Sequence, residues 1–147
     1  MADSGGRGAG TETACSAGTV TPMPPARLLI VDDEEPILFA LREYFTARRW
    51  EVDCATERAE AEALIASRSY AALIADLRLA GDGHDGLELV GYATGRSPAT
   101  HVVVLTAYGS PEVEHAARRR GAQAFLHKPI PLAELERVLA TLVAEPS

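Results

Sequence analysis

The chain has 147 residues, 47% of them apolar, which is enough for one domain with a hydrophobic core. Its 14 basic and 21 acidic residues leave a formal net charge of −7, which argues against a general affinity for nucleic acid or for an anionic membrane surface. No apolar run is long enough to span a membrane and no signal-peptide core lies near the N-terminus, so we expect a cytoplasmic protein without membrane insertion.

The chain divides into two parts by composition. Residues 1–25 are mainly small residues, polar residues and prolines, without a periodic apolar pattern. We interpret them as a flexible N-terminal tail. Residues 26–145 alternate strand-like and helix-like patterns, which predicts one folded domain.

The first half of this domain begins with an apolar run over residues 28–31, which predicts a strand. A helix is expected from about Glu34, because acidic residues and a proline favour a first helical turn. Residues 51–55 predict an outer strand. Thr56 is expected to cap an Ala-rich helix that ends near Arg68.

The second half predicts three strands and three helices. The strands are expected over residues 71–75, 101–105 and 123–127, and the first of the helices over residues 86–94. Ser110, followed by a proline and an acid, marks a further helix start, and Gly121 is a suitable residue to end that helix. Pro131 opens the last helix, whose inner face is Leu132, Leu135, Val138, Leu139 and Leu142.

Four of the apolar runs stop at residues that can take part in phosphate chemistry. Such runs, without alternation, are typical of strands buried on both faces of a parallel sheet, and five β-α units predict a doubly wound α/β domain. Because the carboxyl ends of parallel strands meet at one edge, where ligands bind, distant residues should converge there. These residues are Asp32, Asp33, Asp76, Thr106 and Lys128.

The three acids of this group predict a metal site. Two carboxylates about 4 Å apart repel by roughly 4 kcal/mol at an effective dielectric constant near 20, so a cation is needed to neutralise them. Carboxylate oxygens with open water positions suit Mg²⁺, which also bridges to phosphate. Taken alone, Asp32 and Asp33 are better explained as the acidic start of a helix. Their combination with Asp76 and Lys128 favours the metal site.

Asp76 is the candidate nucleophile, because a carboxylate can attack phosphorus and form an acyl phosphate. Lys128 and the Thr106 hydroxyl would contact the phosphoryl oxygens, since such transfer depends on positioning and charge neutralisation. Lys128 is the single lysine among 14 basic residues, which favours a specific need for a compact ammonium group. Taken singly, Asp76 is also explained as a helix cap, Lys128 as a surface cation and Thr106 as a strand-end hydroxyl.

Four short strings of this sequence resemble the receiver domain of response regulators in two-component systems. They are Leu29-Ile30-Val31-Asp32-Asp33-Glu34, Ile74-Ala75-Asp76-Leu77, Leu105-Thr106-Ala107 and Lys128-Pro129. The resemblance extends over roughly residues 26–144. It implies a flavodoxin-like receiver fold, with a five-stranded sheet in the order 2-1-3-4-5.

The resemblance also implies roles for individual residues. Asp76 would be phosphorylated, and Mg²⁺ would be held by Asp32, Asp33, Asp76 and the backbone carbonyl of Arg78. Phe125 stands where the family has its switch aromatic.

At the other side of the implied site, Thr106 and Lys128 would contact the phosphoryl group. The bond between Lys128 and Pro129 is often cis in this family. Arg78 and Tyr108 stand at positions that tune hydrolysis of the phosphoryl group in the family.

The loop after the acceptor aspartate departs from the family pattern. The family typically has a proline four residues and a glycine eight residues after that aspartate, whereas this chain has Ala80 and, two residues late, Gly86. Asp82, His84 and Asp85 can be interpreted as a metal cluster, although turn formation explains them better. The longer loop bears on access of the phosphodonor and on the rate of dephosphorylation.

The function expected from these features is that of a stand-alone phosphoacceptor switch and not of an enzyme beyond its own phosphorylation and dephosphorylation. A histidine kinase or phosphotransfer protein would donate the phosphoryl group. Because no further segment follows the last helix, output would be binding to a downstream protein or onward phosphotransfer, without direct contact to nucleic acid. We expect a monomer or a weak dimer.

Three other functions stay open. A dehalogenase-like, Mg²⁺-dependent phosphatase also uses a strand-end aspartate, but it needs a second aspartate two residues later, where this chain has Arg78. A flavodoxin-like cofactor binder needs a phosphate loop after the first strand, where this chain has four acids that repel phosphate. A receiver that is never phosphorylated and serves only for docking is the third.

Overall fold

The computed structural model describes residues 26–79 and 85–144, and their alternating strands and helices form a three-layer α/β domain. Five parallel strands lie in the middle layer, in the order β2-β1-β3-β4-β5. The strands are β1 (Arg27–Val31), β2 (Glu51–Ala55), β3 (Ala72–Ala75), β4 (His101–Thr106) and β5 (Ala124–His127). The doubly wound fold and the strand order expected from the sequence are therefore confirmed.

In the described residues, four helices connect the strands and a fifth follows β5, and together they cover both faces of the sheet. They are α1 (Glu35–Ala47), α2 (Arg58–Ser67), α3 (Asp85–Arg96), α4 (Pro111–Arg119) and α5 (Leu132–Ala144). On one face, Leu28 and Ile30 of β1 pack with α1 and α5 around the buried Phe45. On the other face, Leu29 and Val31 pack with α2, α3 and α4. Alternate residues of one strand thus enter two separate cores, which is why the central strands are continuous apolar runs.

Both ends of α4 lie where the sequence predicts them, whereas the predicted cap of α2 is wrong. The Ser110 hydroxyl accepts a hydrogen bond of 3.2 Å from the backbone N–H of Val113, and Gly121 adopts φ +117° just after α4. Thr56 is not a cap. Helix α2 begins two residues later, and the Thr56 backbone N–H instead donates to Glu60 at 3.1 Å, because that side chain reaches back over the first turn.

The N-terminal segment 1–25 and residues 80–84 lie outside the described residues, so the expected tail stays a prediction there. Ala80, Asp82 and His84 belong to the second of these stretches. None of the helices in the described part of the chain has the length and apolarity that a membrane span requires.

Candidate functional site

Asp32 and Asp76 emerge side by side at the carboxyl edge of the sheet. They directly follow β1 and β3, which are neighbours with Val31 in register with Ala75. The Asp76 backbone N–H donates to the Val31 carbonyl at 3.0 Å, so the pairing continues one residue beyond the strands. Both side chains are buried, at 3% and 4% exposure. Buried carboxylates this close need a compensating positive charge.

One oxygen of each carboxylate is fixed by the backbone that follows it. Oδ1 of Asp32 accepts a hydrogen bond of 2.9 Å from the N–H of Glu34, and Oδ1 of Asp76 accepts one of 3.2 Å from the N–H of Arg78. These local bonds are typical of aspartate at a turn. They leave the Oδ2 atoms of both residues pointing to a common partner.

That partner is Lys128, which follows β5. Its Nζ donates to Oδ2 of Asp32 at 2.5 Å and to Oδ2 of Asp76 at 3.2 Å, and its side chain is only 14% exposed. The Lys128 N–H donates to the Thr106 carbonyl at 3.0 Å, which ties the loop after β5 to the end of β4. The bond from Lys128 to Pro129 is cis, as the resemblance implies.

The charges of this cluster shift the pKa of two groups. Burial favours the neutral amine of Lys128, but the hydrogen bonds and charges of Asp32 and Asp76 outweigh it and raise the lysine pKa. Lys128 therefore stays protonated at neutral pH. Burial also raises the pKa of Asp32, against the hydrogen bonds from Lys128 and from the Glu34 backbone.

A third acid completes a cluster that suits a divalent cation. Asp33 is exposed, and one carboxylate oxygen from each of Asp32, Asp33 and Asp76 lies within 4.8 Å of the others. Two buried ligands and one exposed ligand provide hard oxygen donors and leave room for water, which is the donor set that Mg²⁺ prefers. Among the described residues this is the one acidic group close enough for a metal ion. Asp85 lies apart from it, near Arg58 on α2.

Thr106 is fully buried at the end of β4, beside the same edge. Its hydroxyl accepts a hydrogen bond of 3.1 Å from the N–H of Tyr108. The Arg78 guanidinium lies over the Tyr108 ring, 4.2 Å from its centroid. The loops after β3 and β4 are thus joined across the site. The sequence marked both residues as neighbours of the site, but it carried no signal that they touch each other.

Phe125 lies in β5, one strand position before Leu126 and close to the loop that follows Thr106. Its ring is buried and meets the His127 ring edge-on, with 5.5 Å between centroids. A Cβ placed on Gly109 would lie 2.9 Å from the nearest Phe125 ring carbon. Gly109 therefore lets the loop pass close to the ring, because a side chain at this position would meet it.

Comparison with known families gives one match that spans most of the domain. The model of the response regulator receiver domain matches residues 28–140. Response regulator protein PilR of Pseudomonas aeruginosa is 39% identical over 81% of this chain, which corresponds to 26% of PilR. Photosynthetic apparatus regulatory protein RegA of Cereibacter sphaeroides is 38% identical over 76% of this chain and 60% of RegA. The chain thus spans between a quarter and three-fifths of these relatives.

Solved structures give the same answer for the fold. A response regulator from Burkholderia pseudomallei, with a phosphorylated aspartic acid, calcium ion and citrate, has a TM-score of 0.75 and 27% identity, over 81% of this chain and 69% of that one. A CheY-like receiver domain protein from Methanospirillum hungatei also has a TM-score of 0.75, with 28% identity, over 80% and 94% of the two chains.

Proposed function

The chain belongs to the response regulator receiver family, and from this premise we propose that Asp76 accepts a phosphoryl group from a histidine kinase or a phosphotransfer protein. The observation that carries the proposal is the contact of one ammonium group, that of Lys128, with two buried carboxylates at the edge of the sheet. Because burying these charges costs desolvation energy that their pairing only partly returns, the cluster is better explained by a functional role than by stability.

In the proposed reaction an oxygen of the Asp76 carboxylate attacks phosphorus of the donor phosphohistidine. The new P–O bond gives an acyl phosphate, the P–N bond breaks, and the histidine nitrogen leaves with the electron pair and takes up a proton. Lys128 pairs with one phosphoryl oxygen and the Thr106 hydroxyl donates to another. Lys128 contacts Asp76, Thr106 ends the strand next to β3, and both side chains are largely shielded from water, where charge neutralisation is most effective.

Asp32, Asp33, Asp76 and the backbone carbonyl of Arg78 would hold Mg²⁺. When bound, the cation supplies positive charge to the phosphoryl oxygens and to the three acids. Asp33 is the exposed member of the set, so it faces the side from which a donor approaches. The hydrogen bond from the Arg78 N–H to Asp76, which keeps the two residues close together, supports this role.

Phosphorylation would be read out through Thr106 and Phe125. A phosphoryl group adds about −1.5 to −2 charges. The Thr106 hydroxyl, drawn to that charge, would release the Tyr108 N–H that it now accepts from. Phe125 would then rotate into the vacated space and change the surface formed by α4, β5 and α5. A shift from 1:99 to 99:1 requires about 5.5 kcal/mol of differential binding.

The test is to incubate the full chain with Mg²⁺ and acetyl phosphate and to map the adduct by mass spectrometry. One labile phosphoryl group per chain is expected on Asp76, and none in Asp76→Asn. Asp53→Asn is the matched control, because Asp53 lies on β2, binds Tyr70 and Arg68, and lies outside the cluster. An adduct that persists in Asp76→Asn contradicts the assignment.

The same experiment separates a switch from a phosphatase. A stoichiometric adduct, with at most slow self-catalysed loss of phosphate, supports a phosphoacceptor. Rapid turnover of a phosphomonoester would instead support the phosphatase. A docking receiver would form no adduct at all. We also propose, as the sequence predicts, that the domain acts in the cytoplasm through a downstream protein.

A further inference from the structure

The first turn of α3 lies directly against the backbone that follows Asp76. The Gly86 N–H donates a hydrogen bond of 3.2 Å to the Leu77 carbonyl. A Cβ built on Gly86 would lie 2.2 Å from the Cα of Leu77 and 2.6 Å from the carbonyl oxygens of both Asp76 and Leu77. No carbon tolerates such distances, and the atoms it would meet are backbone atoms, so only glycine allows this approach.

The backbone in contact with Gly86 positions two groups of the proposed metal site, the Asp76 carboxylate and the Arg78 carbonyl. Leu77 lies between Asp76 and Arg78, and the turn bond from the Arg78 N–H to Asp76 closes around it. The Leu77 side chain is buried, so the turn has little freedom to shift on its own. A displacement of Leu77 therefore moves both the acceptor carboxylate and the Arg78 carbonyl relative to Asp32.

A second contact holds the same helical turn from the side. Arg58, at the start of α2, lies 4.0 Å from a carboxylate oxygen of Asp85 and 3.8 Å from one of Glu88. These two acids flank Gly86 in the sequence. The Arg58 side chain is partly exposed, so each pair is weak, but together they connect α2 to the turn that contacts Leu77.

We propose that the first turn of α3, seated by Gly86 and braced by Arg58, sets the position of Asp76 and of the Arg78 carbonyl, and so sets the affinity for Mg²⁺. Gly86 and Arg58 are then positioning residues. Gly86 comes ten residues after Asp76, where the family pattern puts its glycine after eight, and it still makes backbone contact with Leu77. The inference rests on the proposed function, since it assumes that this cluster binds metal.

The experiment compares three glycine variants of the full chain. Gly95→Ala lies in the same helix, where an added Cβ meets nothing within 4 Å. Gly121→Ala strains a residue with φ +117° and brings an added Cβ to 2.2 Å from the Thr94 hydroxyl, at the opposite end of α3 from Gly86, so it lowers stability and disturbs α3 without contact to the first turn or to the cluster. Magnesium affinity is measured by calorimetric titration of each folded variant, and stability by urea unfolding.

Gly86→Ala is expected to weaken Mg²⁺ binding at least tenfold and to slow adduct formation at equal Mg²⁺ saturation. Gly95→Ala and Gly121→Ala should bind Mg²⁺ within twofold of the unmodified chain, whatever their stability. Equal affinity of Gly86→Ala and the unmodified chain would overturn the proposal. So would an equal loss of affinity in Gly121→Ala, because the effect would then follow from stability alone.

If Gly86→Ala does not fold, Arg58→Gln decides, because it loosens the same turn without adding bulk. We expect a two- to fivefold loss of Mg²⁺ affinity in Arg58→Gln. The control is Arg68→Gln, at the other end of α2, where Arg68 pairs with Asp53 of β2; it should not change the affinity. An unchanged affinity in Arg58→Gln then overturns the proposal. Failure of the unmodified chain to bind Mg²⁺ at all is a different result, which refutes the proposed function first.

Discussion

Tyr70 is the buried centre of a hydrogen-bond network whose other members extend to the surface. Its hydroxyl donates a hydrogen bond of 2.6 Å to Asp53, which also pairs with Arg68 at 3.1 Å, while the Tyr70 carbonyl accepts from Thr100 at 2.8 Å. Burial, together with the hydrogen bond to Asp53 and its charge, raises the pKa of Tyr70 well above 10.0. The network thus holds the phenol in its neutral form.

This network predicts a loss of stability in alkali. The unfolded phenol releases its proton near pH 10.0, while the folded one keeps it. The unfolded state then binds fewer protons, so the free energy of unfolding falls as the pH rises above about 10. Tyr70→Phe should cost about 1 kcal/mol at pH 7 and flatten that alkaline fall. Urea unfolding at pH 7, 9 and 10.5 measures both effects, and Tyr92→Phe, which should keep the fall, is the control.

Arg49 adopts a backbone conformation that favours glycine. It follows α1 with φ +74°, and the N–H of Trp50 donates to the Phe45 carbonyl at 3.1 Å, which closes the end of the helix. Arg49→Gly should raise the free energy of unfolding by about 1 kcal/mol, because the left-handed region is unfavourable for residues with a Cβ. Arg48→Gly, with φ −102°, should lower it instead. Urea unfolding of both variants is the measurement, and stabilisation by both would contradict the explanation.

At the scale of single residues, the sequence predicted which side chains converge on the site better than it predicted backbone conformation. Asp32, Asp76 and Lys128 were predicted to converge, because their types and strand-end positions are visible in the sequence, and they do. The left-handed Arg49 was not predicted, since helix ends usually place glycine or asparagine there. The contact of Gly86 with Leu77 was also missed. It depends on how closely two segments approach, which no local pattern records.

Two loops, those after β3 and β4, share one contact above the cluster. The Arg78 guanidinium stacks on the Tyr108 ring, and the Tyr108 N–H is held by the Thr106 hydroxyl. Tyr108 is 54% exposed, so the stacking is worth about 0.5 to 1 kcal/mol. Because Thr106 is proposed to move on phosphorylation, the stacking should oppose that movement.

Arg78→Ala and Tyr108→Ala should therefore each raise the rate of Asp76 phosphorylation by acetyl phosphate, by about two- to fivefold. The double variant should match either single variant, since both remove the same contact. Initial rates of adduct formation at fixed Mg²⁺ are the measurement. Multiplied effects in the double variant would show that the two residues act independently.

At the scale of elements, the sequence predicted helix boundaries where a capping residue or a helix-ending glycine sets them. Ser110 with its following proline placed the start of α4, and Gly121 placed its end. Helix α2 was the exception. Thr56 is a suitable cap by residue type, but the residue that precedes the helix is Glu57, which is still extended and makes no side-chain cap. Residue preferences alone did not place this boundary, because Thr56 and the true start of α2 differ by only two residues.

At the scale of the whole molecule, the chain has a formal net charge of −7. Part of this negative charge lies at one sheet edge, where three acids cluster beside one ammonium group. Binding of Mg²⁺ to the folded chain alone should stabilise it, by about 2.7 kcal/mol at 100 times the dissociation constant. Thermal unfolding with Mg²⁺, against NaCl of equal ionic strength, measures this. Asp33→Ala should lose most of the gain, and an unchanged gain would place the cation elsewhere.

The global architecture was the most predictable level, because unalternated apolar runs and short connections leave few ways to build a parallel sheet. The same topology brings Lys128 to Asp32 across 96 residues and to Asp76 across 52. The sequence did not reveal the contacts that support the site from outside it, such as those of Arg58 on α2 with the first turn of α3. Those contacts join surfaces whose relative placement only the packed domain defines.

The pairing of Lys128 with Asp32 has a consequence for biosynthesis. The acids are made early and their cation comes from the last β-α unit, so an emerging polypeptide carries the acceptor long before it carries the group that neutralises it. A chain whose final unit has not docked offers only mutually repelling acids to a donor. Under the proposed function, phosphorylation of Asp76 therefore requires the last β-α unit to be in place, because that unit supplies the ammonium group that would pair with a phosphoryl oxygen.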